Sequence, residues 1–541
     1  MPVATTKTRI GGHLVVESLE ALGAQVAFGL PGIHALGTWE ALRTSTVRGL
    51  GFRSELNAGF AADGYARVSG RPAPLLLSTG PGALISLAAL MEAASAHVPV
   101  VAIASQIPSG LIGKGRGYLH ELPDQLASFA PVVKWAARAD STEAIPELLA
   151  EAWRRSLMPP SGPVFVEIPV DFLTADTDAS PVKELDGEPP APSVEQEALV
   201  EAVAVLGAAA SPVIWAGGGV LRAGAWEELR AVAERLDAPV ATTYMGKGAL
   251  PESHPLAVGS GADEGAYAEL VESADVVLCV GTELGAETTR QYAFQPSGRL
   301  IQIDAAPERI GATWPALGVV GDAKDVLGAL LTLLPTRTGG DGAARAAAVR
   351  ERIAQGLAER GDLPELGLLR TIRAALPFDA IHAWDMTILA YCAGPHFAAL
   401  APRRFLYPLG SGTLGYAWPA ALGAKLALPE TPALAVAGDG GIHYGLTELA
   451  SARQHGIAAT LLIVDDGRYG ILREYQRDAY GETFAVDLAQ PDFVAVAEAF
   501  GVASKRTSAE TLGDDLAWGL ALGEPAVLVL PAVLEWISPT A

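Results

Sequence analysis

Two acidic sites 27 positions apart are the first candidates for chemistry: Gly438-Asp439-Gly440-Gly441, and Asp465-Asp466-Gly467. Each follows a short apolar run, residues 432–437 and 458–464. Carboxylate oxygens suit a hard cation such as magnesium, which shares its ligands with phosphates, and glycine amides beside a helix N-terminus suit a diphosphate. The runs read as neighbouring parallel strands with a helix over 443–455 between them. Asp439 and Asp466 are then expected at carboxyl ends of strands, where α/β sheets bind ligands. A Gly-Asp-Gly turn taken alone is as readily just a turn; the acidic pair further on favours a site.

Other groups could move protons. Glu55 stands in FRSELNAGFAADGYARVSG, residues 52–70, ahead of an Ala-rich helix, and a lone glutamate there is ordinarily an N-terminal helix charge. His34 ends FGLPGIH, after a strand and a glycine turn, and His120 lies in YLHELPDQ, residues 118–125. Imidazole suits proton transfer near neutral pH, although a single histidine is as easily a hydrogen-bonded structural group, the reading applied to His97 and His382.

The elements that must carry these residues are short β-branched runs, at 99–104, 164–168, 276–280, 434–437 and 461–464, alternating with Ala/Leu-rich helical stretches. Such alternation implies parallel sheets with helices on both faces. Residues 72–91 carry no charge before Met91 but are broken by Gly80-Pro81-Gly82, so they read as a strand, a turn and a core helix, not a membrane span. Linkers are expected over 181–195 and 338–348. They divide the chain into segments of about 180, 145 and 190 residues, each sized for one doubly wound domain: 1–180, 194–337 and 362–541.

Half of the 541 residues are hydrophobic and 18% are charged, which fits an α/β protein with large cores. A formal charge of -23 repels phosphate backbones and anionic lipid, so nucleic acid and membrane partners are not expected. Two cysteines, Cys279 and Cys392, without metal-ligand spacing give neither a disulfide framework nor a zinc site. With no apolar signal in residues 1–12, a cytoplasmic location is expected.

Taken with their spacing, these segments resemble the thiamine diphosphate enzymes of the acetolactate synthase, 2-oxo acid decarboxylase and benzaldehyde lyase superfamily, over nearly the whole length. The resemblance implies three domains: pyrimidine-binding, middle Rossmann-like and diphosphate-binding. It implies magnesium ligation by Asp439, Asp466 and the backbone carbonyl of Arg468, where relatives carry Asn-Asn instead of Asp465-Asp466. It assigns Gly438, Gly440, Gly441, Thr387 and Ile471 to the cofactor. Glu55 matches the glutamate that hydrogen-bonds N1′ of the aminopyrimidine and promotes its imino tautomer, a task for a carboxyl kept protonated by an apolar cleft. In GSGTLG, residues 410–415, Leu414 matches the residue that bends the cofactor, and the Gly412 carbonyl matches an acceptor from its 4′-nitrogen. His34 and His120 match acid/base positions, and Ile33, Ser78, Gln125 and Leu472 match the substrate pocket. Apolar Ile33 and Leu472 stand where pyruvate decarboxylases carry acids, which points away from acetaldehyde production.

The expected activity is therefore cleavage or formation of a C–C bond beside a carbonyl. The donor would be a 2-oxo acid and the acceptor a proton, an aldehyde or a second 2-oxo acid. Acetolactate synthase proper and an aldehyde-coupling lyase are the alternatives, and a catalytically silent homologue is the alternative of another class. Similarity of Gly217-Gly218-Gly219 and residues 243–248 to acetolactate synthases raises FAD as a ligand. Against it, residues 281–285 lack the arginine-bearing flavin pattern, and a glycine triplet also serves tight turns. Relatives place the glutamate against the other subunit's cofactor, which implies a homodimer or homotetramer with active sites at the dimer interface.

Overall fold

A computed structural model describes residues 9–183, 193–337 and 339–540. Among the described residues, eighteen strands form three six-stranded sheets in which every strand pairing is parallel. The first holds β1 (Val26–Gly29), β2 (Arg48–Gly51), β3 (Ala73–Leu77), β4 (Val100–Gln106), β5 (Trp135–Arg138) and β6 (Val164–Pro169), in the order β2-β1-β3-β4-β6-β5. The second holds β7 (Val213–Ala216), β8 (Val240–Thr242), β9 (Ala257–Gly259), β10 (Val276–Val280), β11 (Arg299–Asp304) and β12 (Leu317–Val320), in the order β12-β11-β10-β7-β8-β9. The third holds β13 (Ile381–Trp384), β14 (Phe405–Leu406), β15 (Ala433–Gly438), β16 (Thr460–Asp465), β17 (Ala503–Arg506) and β18 (Ala526–Pro531), in the order β14-β13-β15-β16-β18-β17. The first and third sheets thus share one order, and the second has the order of a dinucleotide-binding fold.

The chemistry of the central strands explains this. β4 and β6 are buried along their whole length, as apolar strands covered on both faces must be. One face of the first sheet packs Ala27, Leu76, Val101 and Val166 against Leu14 and Leu19 of the helix Gly11–Ala21 and Ile145 and Leu149 of the helix Ile145–Leu157. The helix Glu55–Ser69 covers the other face. In the second sheet, Ile214, Leu278 and Ile301 pack on Leu229 and Leu330, while Trp215 and Val277 pack on Tyr267 and Val349 from the opposite side. In the third, Trp384, Leu434 and Leu462 meet Ile372, Leu389 and Leu516.

The chain gathers into two compact units. One comprises the residues up to Pro190 with Gly410–Pro429 and Tyr444–Ile457; the other comprises Ala191–Leu409, Glu430–His443 and Ala458–Ala541. In the first, the helix Ala417–Ala427 lies directly on Glu55–Ser69. A Cβ on Gly64 would stand 2.1 Å from the Ala420 carbonyl, and one on Gly423 1.8 Å from that of Ala61. Both cysteines are free and buried. No helix among the described residues is long and apolar enough to cross a membrane.

Two expectations change. Most of the linker expected over 181–195 lies outside the described residues, as does Thr338, but Gly342–Ala358 is a helix where the second linker was expected. Its alanine run favours helix, and Ala346 and Val349 bury against the second sheet. The helix expected over 443–455 begins only at Glu448 and runs to His455, and a single helical turn, Asp439–Ile442, precedes it. Between them the Tyr444 carbonyl accepts from Asn57 Nδ2 at 2.9 Å and the Gly445 carbonyl accepts the Glu448 amide, which closes a turn instead of continuing the helix.

Candidate active site

In the first unit the functional candidates converge on the carboxyl edge of one sheet. The order β2-β1-β3-β4 reverses between β1 and β3, and the loops leaving such a switch point form the crevice of an α/β sheet. β1 leads to His34, β2 to Glu55, β3 to Ser78 and Thr79, and β4 to the loop bearing His120 and Gln125. Glu55 opens its helix and is only 6% exposed. Burial pushes its carboxyl above the usual range. Its Oε1 lies where a Cβ on Gly82 would be 2.8 Å away, and the Ser78 Cβ would be 3.2 Å from that same point. Ser78 Oγ is buried with no hydrogen-bond partner, and it presses on Gly32 so closely that a Cβ there would stand 2.1 Å from it.

His34 is 6% exposed, and its Nδ1 is 3.0 Å from Thr79 Oγ1. Burial, and then the neighbouring His120, lower its pKa. The His34 ring sits 5.4 Å from that of His120, edge to face, and 5.8 Å from that of Tyr118. His120 has a left-handed backbone, φ +69°, and a buried Nδ1 without a partner. Non-glycine residues held in that region cluster at functional sites. Its carbonyl would be 2.6 Å from a Cβ on Gly80, whose own φ is +63°, so glycine is required there on both counts. Ile33 is 59% exposed.

Gln125 differs from its expected pocket-lining role. It is completely buried and its amide is spent within the protein. Oε1 accepts from the Gly80 amide at 2.7 Å, and Nε2 donates to the Ser105 carbonyl at 3.1 Å and to Glu167 at 2.9 Å. Its contribution is the position of the Gly80 turn.

Gly412 and Leu414 belong to the same unit, on an exposed to half-buried turn in which Gly412 has φ +65°. The turn is tied to the buried carboxylate of Glu92, which accepts from the Ser411 amide at 2.7 Å and its hydroxyl at 2.8 Å. Glu92 also takes Arg67 Nη2 at 2.8 Å, Arg67 Nε reaches Asp63 at 2.6 Å, and Tyr416 Oη donates to Asp63 at 2.7 Å. These holding residues escaped the motif reading. A signal exists in retrospect, since Glu92 is the only charge in the run LAALMEAAS of the helix Leu87–Ser95, and a charge in a buried run requires a partner.

In the second unit the other candidates lie at the switch point of the third sheet, between β13 and β15. Thr387 follows β13 and makes no capping bond to its own helix Ile388–His396; its Oγ1 would be 2.9 Å from a Cβ on Gly438. Gly438 ends β15, and the turn Asp439–Ile442 that follows has first-turn amides with no intrahelical partners. A Cβ on Gly440 would stand 2.6 Å from the Tyr469 ring, and one on Gly441 3.2 Å from an Asp385 oxygen. Asp466 follows β16 on the adjoining strand.

The Asp439 carboxyl is pushed up to about 6, first by burial and then by the neighbouring Asp466 carboxyl. A divalent cation relieves the repulsion between two neighbouring carboxyls, and the pair fits an oxygen-ligated divalent metal. Among the described residues no three His, Cys, Asp or Glu side chains converge as a complete metal cage, and the expected set needs only two carboxylates and a main-chain carbonyl. Arg468 pairs across an antiparallel bridge with Asp487 and donates from Nε to Asp466 at 3.1 Å. Gln490, absent from the sequence expectations, donates to Asp439 Oδ2 at 2.6 Å and lies 2.9 Å from His443 Nε2. Ile471 packs against the third core, whereas Leu472 is 49% exposed on the helix Gly470–Tyr480.

The glycine triplet after β7 has a packing explanation. A Cβ on Gly217 would be 2.3 Å from the Gly281 carbonyl, and one on Gly219 2.6 Å from Gly281 Cα.

Comparison with known proteins agrees with this arrangement. Family models match in chain order: the N-terminal TPP binding domain of thiamine pyrophosphate enzymes over residues 9–128, their central domain over 199–330 and their C-terminal TPP binding domain over 386–530. The chain belongs to the thiamine pyrophosphate enzyme family, and it is an enzyme with that cofactor's binding domains. Among its relatives is a probable 2-ketoarginine decarboxylase of Pseudomonas aeruginosa, 38% identical over 510 residues that cover 94% of this chain and 91% of the relative. The acetolactate synthase large subunit of Corynebacterium glutamicum is 33% identical, covering 94% and 84%. A probable acetolactate synthase large subunit of Methanocaldococcus jannaschii is 32% identical, covering 96% and 91%.

Proposed function

We propose that the enzyme uses thiamine diphosphate and Mg2+ to decarboxylate a 2-oxo acid, releasing the remaining acyl unit to a proton or to a second carbonyl. The observation that carries this reading is the carboxyl edge of the first sheet, where Glu55, a buried carboxyl with raised pKa after β2, is joined by His34 after β1 and by His120 in the loop after β4, the two rings 5.4 Å apart. Bound thiamine diphosphate supplies the electron sink that such a decarboxylation needs.

The residues then have distinct tasks. Thr387 and the amides of 438–441 hold the diphosphate, and Asp439, Asp466 and the Arg468 carbonyl hold the metal. Glu55, its pKa raised by burial, hydrogen-bonds the pyrimidine. His34 and His120 orient the substrate and move protons at its oxygens. Leu414 and the Gly412 carbonyl shape the cofactor's seat, and Ile33, Ser78 and Leu472 contact substrate. The names of the relatives support a 2-oxo acid donor, 2-ketoarginine being the first to try, with acetolactate synthesis as the competing activity. The spans of the family models support the partition 1–180, 194–337 and 362–541. A cytoplasmic homodimer or homotetramer, with Glu55 serving the partner's cofactor, completes the reading.

The test is to titrate apo-protein with thiamine diphosphate and Mg2+, followed by circular dichroism, across a panel of 2-oxo acids with carbon dioxide as readout. Saturable binding with carbon dioxide release is expected. Products from pyruvate alone, and from pyruvate with an aldehyde, separate acetolactate synthesis from cross-coupling. Cofactor binding without carbon dioxide from any 2-oxo acid would overturn the reading.

A further inference from the structure

Three side chains behind the proposed substrate position form a line that no motif announces. Ser105 Oγ, at the end of β4, lies 2.9 Å from Thr79 Oγ1, and Thr79 Oγ1 lies 3.0 Å from His34 Nδ1. All three residues are buried, Thr79 completely. Which nitrogen of His34 carries a proton follows from counting donors and acceptors along this line.

Ser105 Oγ makes no other hydrogen bond to the described residues, so Thr79 Oγ1 is the protein acceptor it meets. If Thr79 donated to Ser105 instead, the Ser105 proton would be buried with nothing to receive it, an arrangement native proteins avoid. Ser105 therefore donates to Thr79, and the one proton of Thr79 is left for His34 Nδ1. A ring nitrogen that accepts carries no proton. A ring whose Nδ1 accepts carries its N–H on Nε2, and burial with the nearby His120 lowers its pKa in the same sense. Nε2 has no protein partner among the described residues.

We propose that Ser105 and Thr79 form a hydroxyl relay that holds His34 in the Nε2–H tautomer, so that His34 meets the substrate as a hydrogen-bond donor from Nε2. The inference rests on the reading that His34 faces a 2-oxo acid, whose carboxylate and carbonyl oxygens are acceptors. The relay leaves Nε2 unable to act as a base while the ring is neutral. Thr79 is accordingly a positioning residue, and Ser105 sets its direction.

The experiment is 15N NMR of holoenzyme labelled at histidine, with the His34 signals assigned by their loss in His34→Gln. Wild type is expected to show a protonated Nε2 and a bare Nδ1; a protonated Nδ1 overturns the proposal whatever the variants do. Thr79→Val is expected to mix the tautomers and lower kcat at least about tenfold, a fraction of what a positioned acid or base contributes, with KM little changed. Thr79→Ser is expected to restore both. An unaltered tautomer and unaltered turnover in Thr79→Val also overturn it. Should His34→Gln keep full activity while wild type shows the stated tautomer, the relay stands and the substrate-facing role of His34 fails.

Discussion

Replacing Glu92 tests whether the turn carrying Gly412 and Leu414 is held from below by charge. Glu92 is fully buried and accepts three hydrogen bonds, from the Ser411 amide, the Ser411 hydroxyl and Arg67 Nη2, at 2.7, 2.8 and 2.8 Å. Glu92→Ala removes both acceptor oxygens, and with them all three bonds, and leaves the largely buried Arg67 with Asp63 as its partner. Breaking a buried ion pair from one side costs about 3–5 kcal/mol. The Ser411 amide by itself loses a charge-assisted bond of about 1.5–3 kcal/mol, which accelerates its exchange about 10- to 100-fold. Glu92→Gln keeps a carbonyl for Ser411 but turns an amide N–H toward Arg67 or loses that bond, so its loss is intermediate. Hydrogen exchange of a peptide covering 410–415, together with urea unfolding, measures both quantities, and thiamine diphosphate affinity reports the consequence for the seat. Exchange in Glu92→Ala within a factor of two of wild type, with unchanged unfolding, would refute the reasoning.

Three more outcomes are expected. Glu55→Gln, nearly isosteric, is expected to keep cofactor binding and to lower kcat by about 10²–10⁴, the usual contribution of a positioned acid or base; turnover within threefold of wild type would exclude Glu55 from activation. Gln490→Leu, which strips the hydrogen bond from Asp439 Oδ2, is expected to raise the Mg2+ concentration for half-saturation about 10- to 100-fold, as partners of metal ligands commonly do; titration of apo-protein by calorimetry decides it. His382 is buried, accepts from Trp384 Nε1 at 3.0 Å and has its pKa driven well below 6.5, first by burial and then by Arg373. The unfolded state then binds more protons between the two pKa values. Its contribution to stability is complete above pH 6.5 and is lost as pH falls below that value. Thermal unfolding from pH 7.5 to 5 should steepen in wild type relative to His382→Gln, and equal slopes would remove this histidine from the account.

The strands and the acidic turns were readable because each depends on nearest neighbours in the chain. A run such as 276–280 is apolar throughout only if both faces are covered, and the structure places β10 there with the same bounds. A glycine turn after such a run needs no distant partner to be recognised. The linker expected over 338–348 failed for the complementary reason. Gly339, Gly340 and Gly342 suggest flexibility, yet the alanines after them had a surface of the second sheet to bury against, which composition does not reveal. The same limit hid the role of Gln125, whose polar side chain suits a pocket equally well until Gly80, Ser105 and Glu167 are found around it.

By itself, then, the sequence determined the doubly wound class, the two glycine-acid turns and the three segments bearing Glu55, His34 and His120, since period, turn chemistry and motif spacing are local properties. Only the tertiary structure decided that Ser105, Thr79 and His34 line up, that Glu92 holds Ser411 and that Gln490 reaches Asp439. Those contacts join residues from 26 to 319 positions apart, and a hydrogen bond of 3 Å depends on how strands and helices pack, a quantity that no short stretch of chain contains.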